Sequence, residues 1–312
     1  MKRAATLPLG IDIGTARTRV ALLERTSAGS ARLVACATRA TGDDPTAAIA
    51  DGLAELGTRE RRCVLGLAPP DALLRIATFP AMRRAERERA ARFDAARIVT
   101  FPIAEATVRV TPLDDGRCVV GIARRGAIAA RISAALRARL RPVAVDDAAL
   151  ALLRAFPDAG AIVDAGEVAT RLVVPGDPIP SARTFAVGGG AFTAAVASSL
   201  GVDRTLAEHR KRSLGLAGAG EQVRDDLVEG LAAALIEARA GDAADVRSIA
   251  LVGNASRLTG LAAALERAVA IPVRLGSLPE SAEHALPPDV VRAASPDWGL
   301  AYGLALWEGD GV

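Results

Sequence analysis

Two aspartates, each followed two residues later by a glycine, end apolar segments in different parts of the chain. Asp12 and Gly14 end the first such segment, and Asp164 and Gly166 end another. A strand that stops at Asp-x-Gly and turns back presents a carboxylate beside free backbone amides, and a glycine there permits positive φ and close approach of a phosphate. The carboxylate repels a phosphate, but it can hold Mg²⁺ through water.

One Asp-x-Gly segment alone is also a common tight turn. Because the motif occurs twice, each time at the end of an apolar strand, the sequence predicts two loops that face each other across a cleft. They would grip a polyphosphate, with one metal ion shared through water by Asp12 and Asp164. These two carboxylates are the candidates for a catalytic role, although either could serve the metal alone.

Two small-residue turns could complete such a site. Gly188, Gly189 and Gly190 lie between a strand and a helix, where backbone amides can meet terminal phosphates. The segment 253–257 follows an apolar strand, and its small residues would let a flat ring lie against the backbone. Either segment could also be an ordinary connection between a strand and a helix.

Composition excludes several other classes of protein. The chain has 312 residues, 51% of them apolar, and its 39 basic residues are nearly balanced by 36 acidic ones. With six Phe, two Trp and one Tyr, it offers few rings for base stacking, and no run of like charges forms a phosphate-tracking arm, so no nucleic-acid partner is expected. Three cysteines lie in apolar runs and predict reduced, buried thiols. No segment is apolar for long enough to span a membrane, and a cytoplasmic protein without membrane insertion is expected.

Hydrophobic periodicity predicts the elements that must position these residues. The first and second parts of the chain echo each other, since each opens with a strand that leads into Asp-x-Gly and then a second strand of the same hairpin. Between them, residues 68–143 have the texture of a compact α+β insertion. Strands are expected at 7–13, 19–24, 31–38, 63–67, 106–112, 117–123, 161–164, 168–175, 184–187, 248–253 and 271–275, and helices at 45–56, 83–99, 125–139, 147–156, 190–200, 203–212, 220–240 and 257–268, with a final helix from near Asp297.

The order of these motifs resembles the actin-like ATPase superfamily. Asp-x-Gly-Thr, an insertion, a second Asp-x-Gly, three glycines, Ala207-Glu208-His209-Arg210-Lys211 and Gly-Asn-Ala-Ser follow one another as in that superfamily. The resemblance implies ATP with Mg²⁺ as ligands, with Glu208 on the ribose hydroxyls and Lys211 along the adenine. Residues 208 and 211 are i,i+3 neighbours on one helical face. The nucleotide contacts predicted in this way are Asp12, Gly14, Thr15, Asp164, Gly166, Thr170, Gly188, Gly189, Gly190, Glu208, Lys211, Gly253, Asn254, Ala255 and Arg257.

Within the superfamily the chain is similar to the PilM and FtsA proteins, which carry an extra subdomain at the place of the insertion. The segments 93–106, 145–156 and 297–306 resemble PilM. One departure is Asn254, because the adenosine turn of the superfamily usually reads Gly-Gly. Nucleotide binding is therefore better supported than turnover, and the chain is expected to be at most a weak ATPase.

The resemblance implies an α/β, actin-like (ribonuclease H-like) duplicated fold with an inserted α+β subdomain. The first half would take residues 1–67, 144–158 and 295–312, the FtsA/PilM-type insertion 68–143, and the second half 159–294, with a helical subdomain at about 201–247.

The function implied is that of an ATP-binding component of a type IV pilus assembly or related secretion machine. It would dock the N-terminal cytoplasmic tail of a PilN-like inner-membrane protein and so be peripheral at the inner membrane through its partner. The chain stops without the C-terminal amphipathic helix that FtsA needs for its membrane hold. Self-association is left open. Two alternatives stay open, namely an actin-fold scaffold without nucleotide and a superfamily kinase or phosphatase that acts on a small molecule.

Overall fold

A computed structural model describes residues 5–309 of the chain, except 28, 217, 241–245 and 282. The strands are β1 (Ala5–Thr6), β2 (Leu9–Ile13), β3 (Arg17–Arg25), β4 (Ala31–Ala40), β5 (Arg62–Leu67), β6 (Ala72–Thr78), β7 (Ala106–Pro112), β8 (Arg117–Arg124), β9 (Arg141–Asp147), β10 (Ala161–Ala165), β11 (Thr170–Val174), β12 (Ser181–Phe185), β13 (Ile249–Val252) and β14 (Val273–Leu275). The α-helices are α1 (Pro45–Leu56), α2 (Arg84–Ala95), α3 (Arg125–Arg137), α4 (Ala148–Ala155), α5 (Gly189–Leu200), α6 (Arg204–Leu214), α7 (Glu221–Ala240), α8 (Leu261–Val269) and α9 (Pro288–Ala305).

The two large sheets have the same topology, which confirms the predicted internal duplication. In the first sheet, β4, β3 and β2 are antiparallel neighbours, and β5 and β9 follow in parallel. In the second sheet, β12, β11 and β10 are antiparallel neighbours, and β13 and β14 follow in parallel. Each half therefore begins with a hairpin and continues with parallel strands, as in the actin-like fold.

Helices α4 and α9 lie between the two sheets and join the halves through one apolar core. That core contains Leu23 and Leu33 from the first sheet, Ile162 from the second, and Leu152 and Tyr302 from the two helices. Because this shared core is buried, the two hairpins that end in Asp12 and Asp164 are held in a defined relation to each other.

The predicted insertion, 68–143, is divided between two parts of the structure. Strands β6, β8 and β7 form a separate antiparallel sheet, and α2 packs Ala91 and Ala95 against its core. Helix α3, in contrast, packs Ala134 and Ala135 against the first sheet, which also contains β9. We therefore propose that the inserted subdomain ends near Arg124; the other segment boundaries stay predictions.

Several elements differ from the sequence-based expectation, and prolines explain two of the differences. Strand β9 was not predicted, because it contains Pro142; the strand lies at a sheet edge, where a missing amide is tolerated. Helix α9 begins at Pro288 and not near Asp297, since it continues through Pro296, a residue type that usually breaks helices. Strands β1 and β6 were not predicted either, and β12 lies at Ser181–Phe185 instead of 184–187. None of the described helices is both long and apolar enough to cross a membrane.

Candidate nucleotide site

The two Asp-x-Gly segments form matching tight turns at the ends of β2 and β10. Gly14 donates its backbone N–H to the Arg17 carbonyl at 3.1 Å, and Gly166 donates to the Ala169 carbonyl at 2.9 Å. Positive φ was expected at these glycines, but neither has it. Glycine is needed for another reason: a Cβ on Gly14 would lie 2.9 Å from the Arg17 oxygen.

Each aspartate pairs with an arginine across its own hairpin. Arg19 donates to the Asp12 carboxylate at 2.8 Å, and Arg171 donates to the Asp164 carboxylate at 2.7 Å. In both hairpins the two residues are cross-strand partners in the β register. The sequence reasoning missed both arginines. The available signal was their equal spacing, since each arginine comes seven residues after its aspartate.

A cleft of about 250 Å³ lies between the two turns. It is lined by Asp12, Gly14 and Thr15 on one side and by Asp164 and Gly166 on the other. Contact of these residues with a nucleotide stays a prediction.

Two more arginines reach the same cleft. Arg131, from α3, donates to the Ile13 carbonyl at 3.0 Å. Burial lowers the pKa of Arg131, against the opposing influence of Asp12 and Asp71. Arg17 also lines the cleft, and its side chain makes no hydrogen bond or ion pair within the described residues.

Asn254, the departure from the family pattern, joins the two halves. Its side-chain oxygen accepts a hydrogen bond from Arg19 at 2.6 Å, so one guanidinium contacts both Asp12 and Asn254. The preceding Gly253 has φ of +86°, and a Cβ there would lie 2.4 Å from the Ala165 carbonyl. The turn therefore requires glycine at position 253, whereas at position 254 the asparagine side chain makes a polar contact with Arg19.

A second cavity, of about 530 Å³, adjoins the cleft and shares the residues 16, 17, 167, 254 and 297 with it. The residues expected around the nucleoside that line this cavity are Glu208, Lys211, Asn254, Ala255 and Arg257. Gly189, which was expected to meet the phosphates, lines it as well.

Glu208 and Lys211 are paired with each other and with α5. The Lys211 ammonium lies 2.6 Å from the Glu208 carboxylate, and it also donates to the Gly189 carbonyl at 2.9 Å and the Thr193 hydroxyl at 2.8 Å. Arg212 contacts the other Glu208 oxygen at 2.7 Å. Although burial raises the pKa of Glu208, the hydrogen bonds from Lys211, Thr193 and Arg212 outweigh it and lower that pKa to about 2. Glu208 therefore stays ionised, and Lys211 ties α6 to the first turn of α5.

Several residues predicted to contact the nucleotide are bonded to other parts of the protein or lie outside both cavities. The amides of Gly189 and Gly190 donate to the carbonyls of Gly166 and Glu167, both at 2.8 Å, so these amides close the loop and are not free for a phosphate. Gly188 and Gly190 line neither cavity. Thr170 is fully buried, and its hydroxyl donates to the Val187 carbonyl at 2.7 Å.

The carboxylates fit a magnesium ion poorly. Asp12 and Asp164 each accept a hydrogen bond from a guanidinium, which neutralises the charge that would attract the cation. The described part of the chain has no group of three His, Cys, Asp or Glu side chains that could hold a metal. The shared metal therefore stays a prediction that these contacts do not favour.

Comparison with known proteins places the chain in a structural class. No family model and no curated protein matches it. A chain of the solved PilM–PilN type IV pilus biogenesis complex matches it with a TM-score of 0.82 and 27% identity, covering 96% of this chain and 97% of that one. The ethanolamine utilization protein EutJ from Carboxydothermus hydrogenoformans matches with a TM-score of 0.58 and 15% identity, over 96% and 90% of the two chains. A glycerol dehydratase reactivase matches with 0.56 and 13%, over 96% and 99%.

The duplicated sheets and these similarities define an actin-like ATPase fold. Within that fold the chain is PilM-like, since it matches the protein of the pilus complex over nearly the whole of both chains.

Proposed function

We propose that the chain is an ATP-binding, actin-like component of a type IV pilus assembly or related secretion machine, which docks the cytoplasmic tail of a PilN-like inner-membrane protein. The observation that carries the proposal is the similarity to the PilM–PilN complex at a TM-score of 0.82 over 96% of the chain. In this proposal the chain is cytoplasmic and reaches the inner membrane through its partner.

The nucleotide would span the two adjoining cavities. The resemblance assigns the nucleoside to the 530 Å³ cavity, beside Glu208, Lys211, Ala255 and Arg257. The phosphates would then enter the 250 Å³ cleft between the two turns. The tips of both turns supply free donors there, because the amides of Thr15 and Val168 form no hydrogen bond within the described segments. Backbone amides of this kind are suited to phosphate oxygens.

The partner tail would dock between the inserted sheet and the second half. A small cavity of about 70 Å³ lies there, with Leu73 and Leu74 of β6 on one side and Val173 and Ala182 on the other. Strand β6 is at the edge of its sheet, so in the described structure only β8 pairs with it. An extended tail could pair with this edge and place an apolar side chain against Leu74.

The docking cavity and the phosphate cleft share a wall. Pro69, Ala148, Leu152 and Arg171 line both. A phosphate that changes the position of Arg171 therefore changes the surface offered to the tail, which gives ATP a direct way to regulate docking.

Two measurements test the proposal. ATP should raise the melting temperature of the protein, and a peptide from the cytoplasmic end of a PilN-like protein of the same organism should bind in a fluorescence titration. Leu74→Asp should weaken the peptide and leave ATP binding unchanged. Leu136→Asp, an exposed site on α3, is the matched control and should change neither. A peptide that binds equally well to both variants would exclude the docking site.

The ATP measurement also separates the two alternatives. A wild-type protein that does not respond to ATP would favour a scaffold without nucleotide. Phosphorylated or dephosphorylated product from a panel of sugars would favour a kinase or phosphatase.

A further inference from the structure

We propose that the cleft holds the polyphosphate end of its nucleotide through arginine side chains, without a magnesium ion. This inference rests on the proposed nucleotide binding and concerns the phosphate end of the same site. It differs from the sequence-based prediction, in which Asp12 and Asp164 share a metal ion through water.

The first argument is the charge of the two aspartates. Asp12 and Asp164 are the carboxylates at the ends of β2 and β10, and each is already paired with a guanidinium within hydrogen-bond distance. The Arg19 side chain is only 7% exposed, so its pairing with Asp12 is little screened by solvent. A neutralised carboxylate attracts a divalent cation weakly, and a cation placed there would meet two fixed positive charges.

The second argument is that two arginines of the cleft have no carboxylate partner. Arg17 and Arg131 line it, and neither pairs with a carboxylate in the described part of the protein. Arg19 and Arg171 also line the cleft, and the Nε atoms of these two residues and of Arg131 are buried without a hydrogen-bond partner. Guanidinium groups suit phosphate oxygens, which can accept two parallel hydrogen bonds from one arginine.

The remaining acidic residues of the cleft wall do not cancel these charges. Asp71 faces Arg124 at 3.8 Å, and Glu167 pairs with Arg204 at 3.0 Å. Asp297 lies 3.4 Å from Arg257. Each acidic side chain therefore has its own cation, and Arg17 and Arg131 remain for the ligand.

A consequence follows for the form of nucleotide that binds. ATP without magnesium carries two more negative charges than its magnesium complex. A cleft in which Arg17 and Arg131 have no carboxylate partner attracts the more anionic form more strongly. Isothermal titration of the full chain with ATP in EDTA and in excess MgCl₂, at equal ionic strength, measures this directly. We expect ATP to bind in EDTA at least as tightly as in magnesium.

Arg131→Gln provides the test on the protein side. It should weaken ATP in EDTA by about tenfold, because one charged hydrogen-bond donor to the phosphates is lost. Arg125→Gln on the same helix is the control, since Arg125 is exposed and outside the cleft, and it should bind as the wild type does. Circular dichroism and melting curves establish that both variants are folded.

Asp164→Asn separates the two kinds of site. If the carboxylate serves a metal, this variant loses ATP binding; if arginines hold the phosphates, Arg171 is released and binding in EDTA persists. Binding that needs magnesium in the wild type, or that Asp164→Asn abolishes in a folded protein, would overturn the inference and leave ATP binding intact. No binding in either buffer would overturn the proposed nucleotide function itself, and with it this inference.

Discussion

Replacing Lys211 with methionine removes the cation at the centre of the contact between α5 and α6. The Lys211 ammonium contacts Glu208, Thr193 and Gly189, all within 2.9 Å, and its side chain is only 10% exposed. Methionine keeps most of the length and apolar stem of lysine, so the change removes mainly the charge and its hydrogen bonds. Glu208 would then keep Arg212 and Thr193 as partners.

The pKa of Glu208 provides the magnitude. A pKa lowered from 4.5 to about 2 corresponds to about 3 kcal/mol at most, shared among several partners. The Glu208 side chain is 31% exposed, and solvent screening reduces the share that Lys211 contributes to about 1–2 kcal/mol. For a chain of 312 residues, that loss lowers the melting temperature by about 1.5–3 °C.

The sign of the pH dependence follows from the same shift. Because the pKa of Glu208 is lower in the folded chain, its stabilisation is fully present above pH 4.5 and is lost as the pH falls toward 2. Urea unfolding of the wild type and of Lys211→Met should therefore differ most at pH 7 and converge in acid. Arg212→Met is the control, since Arg212 is 64% exposed and should cost under about 1 kcal/mol.

Equal free energies of unfolding for Lys211→Met and the wild type at pH 7 would refute this reasoning. A difference at pH 3 as large as that at pH 7 would refute it as well. Lys211→Arg adds a test of the nucleotide site, because it keeps the charge but replaces a compact ammonium with a planar guanidinium. Lower ATP affinity in that variant would support a contact of Lys211 with the nucleoside. Unchanged affinity would leave Lys211 as a tie between two helices.

Other substitutions test the turns and the core. Gly253→Ala should lower both the melting temperature and ATP affinity, because its Cβ would lie 2.4 Å from the Ala165 carbonyl, and wild-type behaviour would contradict the turn geometry. Asn254→Gly removes the acceptor for Arg19 and should lower the free energy of unfolding by about 1–3 kcal/mol in urea melts, whereas an unchanged value would mean that this contact contributes nothing. The thiol of Cys63, whose pKa burial raises to about 12, should react with a disulfide reagent at pH 8 only after unfolding, and rapid native labelling would contradict its burial.

The architecture was largely predictable, because hydrophobic periodicity and turn residues act locally. The Asp-x-Gly hairpins, the glycine turn before α5 and the helix that carries Glu208 all lie where the sequence placed them. The prediction was wrong at Pro142 and Pro296, because proline usually interrupts strands and helices. Pro142 lies in an edge strand, and Pro296 lies inside a continuous helix.

The site divides in the same way. Residue types and spacing identified the residues that line the cleft and the adjoining cavity, because strands ending in small and acidic residues bring those groups to one edge of each sheet. Whether a given group is free for a ligand depends on contacts that periodicity does not show. The amides of Gly189 and Gly190 are used by the neighbouring turn, although their sequence is typical of a phosphate loop.

The amino-acid sequence alone was sufficient for the duplicated halves, the family resemblance and the two aspartates, since each of these depends on residues close together in the chain. The ion pairs of the cleft could not be predicted from the sequence alone. Arg19 is brought to Asp12 by cross-strand register and to Asn254 across 235 residues by the packing of one half against the other. These contacts exist only in the folded chain, as does the pair of Arg171 with Asp164, and they place a guanidinium beside each of the two predicted metal ligands.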